Sequence, residues 1–276
     1  MTGFEIAALL AKMATSAAVV VLASFVVERS GPLVGALVAT LPVSLGPAYL
    51  FLAIEHGAAF ISATALASLS SAAGIGAFLA AYVSLAGRRA GVAASLGAAL
   101  LAWLGVALLG RTVATTLGAA LVLNAVVYAG GILLVRSYRG AGIAGRPPAR
   151  WWELPLRAGL VMVLVGATVL FGRLAGPEAA GLLAMAPVVF GSLALILHPR
   201  VGGPATAAVL ANSMVPMLGF IAGLVLLHMT ATAPSGLPLA MGGALALCVG
   251  WNFGMFALAR WRRRTAPPPV ASAPHR

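Results

Sequence analysis

The sequence contains no aspartate, five glutamates, a single lysine and a single cysteine, and only 8% of its 276 residues are charged. An ordinary soluble domain carries roughly a quarter charged residues. So few carboxylates exclude catalysis by carboxylate pairs and oxygen cages for Ca²⁺ or Mg²⁺. One cysteine, Cys248, excludes a disulfide framework, cysteine-zinc sites and iron–sulfur clusters. A nucleotide-binding loop, a His-Glu-x-x-His zinc pair and a Ser-His-acid set are also missing, so the sequence points to no enzyme, no metal and no cofactor.

What is present is apolar. Residues of the AVILMFWYC set make up 62% of the chain, and the mean hydropathy is +1.06. A crossing helix needs about 20 predominantly apolar residues. That rule divides the chain into nine segments, at about 5–27, 31–54, 58–86, 91–110, 112–135, 156–175, 178–197, 204–230 and 237–260. The expected fold is therefore an all-α integral membrane protein with nine transmembrane helices. The first segment has no basic stretch ahead of it and takes part in a repeat, so it reads as a retained span rather than a signal peptide.

Basic residues give the direction. With nine crossings, fourteen arginines fall on one face, while the other carries only Arg111 and Arg173. Cytoplasmic loops retain Lys and Arg, so the N-terminus is expected outside and the C-terminus in the cytoplasm of a bacterial inner membrane. Residues 137–155 form a basic cytoplasmic loop ending in Trp151 and Trp152, and 261–276 a basic, proline-rich tail. Both read first as topology determinants, and the tail would also be drawn to anionic membrane lipid. The pI near 11.7 comes from these signals and gives no reason to expect nucleic-acid binding.

A shift of 145 residues lays Gly31–Gly57 on Gly176–Gly202 without a gap, with ten of the 27 positions identical. The matches include Gly31 with Gly176, Pro32 with Pro177, Pro42 with Pro187, Gly46 with Gly191 and Gly57 with Gly202. The same shift pairs Ser68 with Ser213, Gly74 with Gly219, Lys12 with Arg157 and Glu28 with Arg173. The chain thus divides into a first repeat (1–111), a connector span (112–136), the loop, a second repeat (156–260) and the tail. An odd number of crossings separates equivalent positions, so the two four-helix halves are expected in opposite orientations, as in many secondary transporters.

Candidate site residues follow from this frame. Pro42 and Pro187 stand near the middle of the second and seventh spans, where each removes a backbone bond; paired interrupted helices mark transporter sites, although a simple packing kink is an equal reading. Ser44 belongs to the first of these segments. Lys12 and Arg157 either snorkel to the headgroups, bind an anionic group together, or gate opposite faces. Ser68, opposed by Asn212 and Ser213, would line a polar path or make ordinary interhelical hydrogen bonds. Asn124 and Asn252 are weaker candidates. Glu55 and His56 are the candidates for coupling or gating, but their place at a span end favours solvated loop residues.

Each half carries a basic residue in its first span followed by VGALVATLPVS (Val34–Ser44) or AGLLAMAPVVF (Ala180–Phe190), and in this resembles the small GlpM-like integral membrane proteins. The resemblance covers about 80 residues of each half and implies a tandem-fused relative of single-repeat proteins. It implies architecture more than activity, beyond a loose association with envelope polysaccharide production. The leading expectation is an inner-membrane permease moving a small solute, an anionic metabolite in one version, by alternating access between inverted repeats. The alternative is a non-transporting subunit that assists envelope polysaccharide or lipid export. The partners implied are membrane lipids and the solute, with a homo-oligomer or an export partner in the second case.

Overall fold

The computed structural model describes residues 3–29, 45–139 and 150–265, and those residues form helices joined by short turns. In chain order they are α1 (Gly3–Arg29), α2 (Leu45–His56), α3 (Ala58–Gly87), α4 (Val92–Val113), α5 (Leu117–Val135), α6 (Glu153–Ala184), α7 (Val188–Val201), α8 (Gly203–Asn212), α9 (Met214–Thr230) and α10 (Leu237–Thr265). A 3₁₀ turn, Arg136–Tyr138, follows α5. Among the described residues, seven stretches are long and apolar enough to cross a membrane, one of them the 49-residue Glu153–Val201. The described residues are those of an all-helical membrane protein. Many large apolar side chains point outward, among them Leu101, Val122, Val126 and Leu133; facing hydrocarbon, they carry no hydrophobic penalty.

The turns are as short as single glycines. Gly57, between α2 and α3, has φ 81° and ψ −171°, and Gly202, between α7 and α8, has φ 83° and ψ 163°. Gly176, inside α6, has φ 80° and ψ −172°. This backbone region is essentially restricted to glycine, because a Cβ would clash there. At Gly176 the chain turns back on itself: a Cβ built on Gly172 would stand 3.3 Å from the Cβ of Ala180, whereas eight residues of straight helix would separate them by about 12 Å. The long stretch Glu153–Val201 is therefore a hairpin, with residues 177–184 as a short second limb that leads into α7.

Helix α3 is the centre of the molecule. It packs against α2, α4, α5, α6, α8 and α9, and 72% of its apolar window is buried. Small residues allow the close approaches: a Cβ on Gly74 would meet the Trp103 carbonyl at 2.8 Å, and one on Gly110 the Ser70 carbonyl at 2.5 Å. Asn124 and Tyr128 strap α5 to α3 through the carbonyls of Leu69 (2.8 Å) and Ala72 (3.3 Å), which is interhelical glue. Asn252 bonds its own helix at Cys248.

Element boundaries repeat with the sequence. Shifted by 145 residues, α3 (58–87) falls on 203–232, the range of α8 and α9, and Val92, the first residue of α4, falls on Leu237, the first of α10. The helix pair α3 and α8–α9 packs antiparallel. Ser62, near the start of α3, bonds His228 near the end of α9, while the Ala86 carbonyl at the other end of α3 abuts Gly203.

Candidate functional site

The polar groups concentrate on the first half of α3 and on the elements that face it. Serine and threonine tolerate a mid-helix position because each hydroxyl can return to a carbonyl one turn back or reach a neighbouring helix. Ser68 takes the second course. Its hydroxyl accepts from Tyr49 of α2 at 2.7 Å and donates to the Gly181 carbonyl at 3.1 Å, tying α2 and the returning limb of α6 to α3. The lack of a side chain at Gly181 makes this possible, since a Cβ there would come within 2.7 Å of Ser68 N and Thr64 O. The hydroxyls of Thr64 and Ser71 are buried without a partner among the described residues. A buried hydroxyl left unpaired is costly, and two on the same helix as Ser68 make this a polar seam with unused capacity.

The interruption expected at Pro187 is present. Helix α6 ends at Ala184, α7 starts at Val188, and Pro187 itself has φ −77° and ψ 45°. Of the carbonyls released, that of Met185 accepts the indole N–H of Trp103 at 3.0 Å, a partner supplied by α4. Pro42 and Ser44 lie outside the described residues.

Above the seam, at the end of α2, stands a cluster of ions. Arg173 grips Glu55 with both nitrogens, Nε to Oε2 at 2.8 Å and a terminal nitrogen to Oε1 at 2.5 Å. Lys12 forms an ion pair with the same carboxylate and lies 5.8 Å from the centre of the Phe51 ring. The Glu55 side chain is only 14% exposed. Its expected role as a solvated loop residue is corrected: the one-glycine turn at Gly57 leaves no loop to carry it into solvent, and it joins α1, α2 and α6. His56 is likewise held in, its ring stacked on Phe60 at 4.0 Å and its Nδ1 buried without a partner among the described residues.

Lys12 and Arg157 do not meet. Met13 packs on Gly166, and Arg157 lies nine residues, about 14 Å, farther along α6; its Nε is buried and has no partner among the described residues. One anion held by both side chains is not what this arrangement offers. The other end of α6 has an ion pair of its own, Glu153 with Arg200 of α7, whose side chains are 14% and 11% exposed. In the repeat, Arg200 is the counterpart of Glu55. Asn212 is exposed, bonding Ala208 and, at 3.3 Å, the Arg139 carbonyl. Ser213, between α8 and α9, donates to the Val209 carbonyl one turn back in α8. Given the antiparallel register, these two lie nine to ten residues, about 14 Å, along the axis from Ser68.

Tyr49, Thr64, Trp103, Arg173 and Gly181 are the site residues that sequence reasoning missed. The spacing of Thr64, Ser68 and Ser71 on one helical face was the available signal. No family model, no curated protein and no solved structure matches this chain.

Proposed function

We propose that the protein is a secondary transporter of the bacterial inner membrane that moves a small solute by alternating access between two inverted four-helix repeats. The observation that carries this reading is the antiparallel packing of α3 against α8–α9, the two stretches that the 145-residue shift equates. Equivalent helices packed in opposite directions are what an in-plane pseudo-twofold axis produces.

Counting the reversal at Gly176 as a turn between two spans, and keeping the second crossing where hydropathy expects it, at about 31–54, gives nine crossings. That count puts Lys12, Glu55, Arg173, Arg111, Glu178, Ser62 and His228 toward one face, and Glu153, Arg200, Ala86 and Gly203 toward the other. Each ion pair then joins residues of the same face, as the low-dielectric interior requires. By the arginine count the first of these faces is outside. In this reading the seam of Tyr49, Thr64, Ser68 and Gly181 is the midplane path, with the Glu55 cluster closing it outward and Arg200–Glu153 closing it inward.

The test uses Ser68→Cys in a Cys248→Ala background, probed with a small membrane-impermeant thiol reagent in right-side-out and inside-out vesicles. A transporter exposes position 68 to each face in turn, so modification from both sides is expected. Modification from neither side, or from one side alone, contradicts alternating access and favours a subunit that works through its outer surfaces.

A further inference from the structure

The outer end of the bundle contains a cavity that the seam does not use. It holds about 170 Å³ and lies between α3, the end of α4, the turn that follows it and the point where α6 resumes after Gly176. Ala63, Leu66, Ala67 and Ala114 form an apolar floor, and Arg111 and Glu178 stand at its rim. The two rim charges are 3.7 Å apart, longer than a direct hydrogen bond, and their side chains are 45% and 76% exposed. The helical limb 177–184 begins at the cavity with Pro177 and Glu178, so the positive end of its dipole lies there.

We propose that this cavity binds a small α-amino acid with an apolar side chain, and so names the substrate class of the transporter; the inference rests on the transport reading given above. The carboxylate is placed at Arg111 and the first turn of the 177–184 limb, the ammonium group at Glu178, and the side chain on the alanine floor. A simple anion fits less well, because Glu178 stands beside its only cationic partner. A simple cation meets Arg111 in the same way. A ligand with both charges on one carbon satisfies both rim groups, which already lie within one residue's reach of each other. The Ser70 hydroxyl has no proton left for a ligand carboxylate, since its single proton is shared between the carbonyls of Ala114 and Leu66. Alanine at 63, 67 and 114 leaves room for a short side chain and little more. Gly181 abuts Ala67, so this cavity borders the Ser68 seam and is separated from it by that contact.

The test is equilibrium binding of radiolabelled L-alanine to the full chain in lipid nanodiscs, with propionate and ethylamine as single-charge competitors. Saturable binding of L-alanine is expected, with weak competition by either analogue. Removing one charged hydrogen-bonding partner should weaken it about tenfold in both Arg111→Gln and Glu178→Gln. Ala63→Leu, which fills the floor, should abolish it, with thermal unfolding checked to show that the variants remain folded. Propionate binding as tightly as alanine, and tighter still in Glu178→Gln, overturns the assignment in favour of a plain anion site. No saturable alanine binding also overturns it. If Ser68→Cys is still modified from both faces in that case, transport stands and only the substrate class falls.

Discussion

Helix α3 and its repeat counterpart, α8–α9, occupy equivalent stretches of sequence and do different things. Helix α3 runs unbroken for 30 residues, with 72% of its window buried against 39% for Gly203–Thr230. The counterpart is divided at Ser213. A single pair of residues accounts for the division. Pro216 has no N–H to give the Asn212 carbonyl, and its equivalent in α3 is Ser71, which keeps the backbone bond. The paired serines diverge in the same way: Ser68 joins three elements, while Ser213 bonds one turn back. The helix boundaries coincide under the 145-residue shift, while the polar contacts are made on one of the two stretches, α3.

Moving the proline tests that difference most severely. Ser71→Pro should cost about 3 kcal/mol or more and disrupt α3, seen as a large fall in the detergent unfolding midpoint. Gly181→Val comes next. A side chain there collides with backbone of α3 rather than with a flexible side chain, and a loss of up to about 3 kcal/mol is expected. Smaller is the contrast between the serines: Ser68→Ala should lose about 0.6 to 1 kcal/mol and Ser213→Ala close to nothing, since interhelical hydrogen bonds in membranes average about 0.6 kcal/mol. Equal effects at the two positions would erase the asymmetry argued here. The smallest change is Pro216→Ser, which should restore the backbone bond across Ser213. Its measurable sign is slower amide exchange at residues 213–217, with little change in midpoint.

Much of the frame was legible in the sequence. Among the glycines that the shift aligned, Gly57, Gly176 and Gly202 stand at turns, because a conformation open only to glycine leaves a glycine there. The interruption at Pro187 was legible for the equally local reason that proline lacks a donor. The site was less so. Nothing near Trp103 in the chain says that its indole satisfies Met185, 82 positions away, and nothing near Tyr49 points to Ser68. Glu55 reads as a boundary residue by hydropathy, which averages over a window. Its ion pairs with Lys12 and Arg173 depend on how α1, α2 and α6 converge. The separation of Lys12 from Arg157 depends likewise on the packing of α1 against α6.

The central claim, that two inverted repeats exchange conformations, is tested most directly by distances at the two faces of one preparation. Spin labels at Thr112 and Ser235 measure the outer ends of α4 and α10. The 145-residue shift equates that pair with Ala257 and Ala90, which measure the inner ends. In a Cys248→Ala background, each pair should show two distances, and a transported solute should shift their populations in opposite senses at the two faces. One narrow distance at both pairs, unchanged across solutes and membrane potential, would contradict alternating access and leave a rigid membrane scaffold.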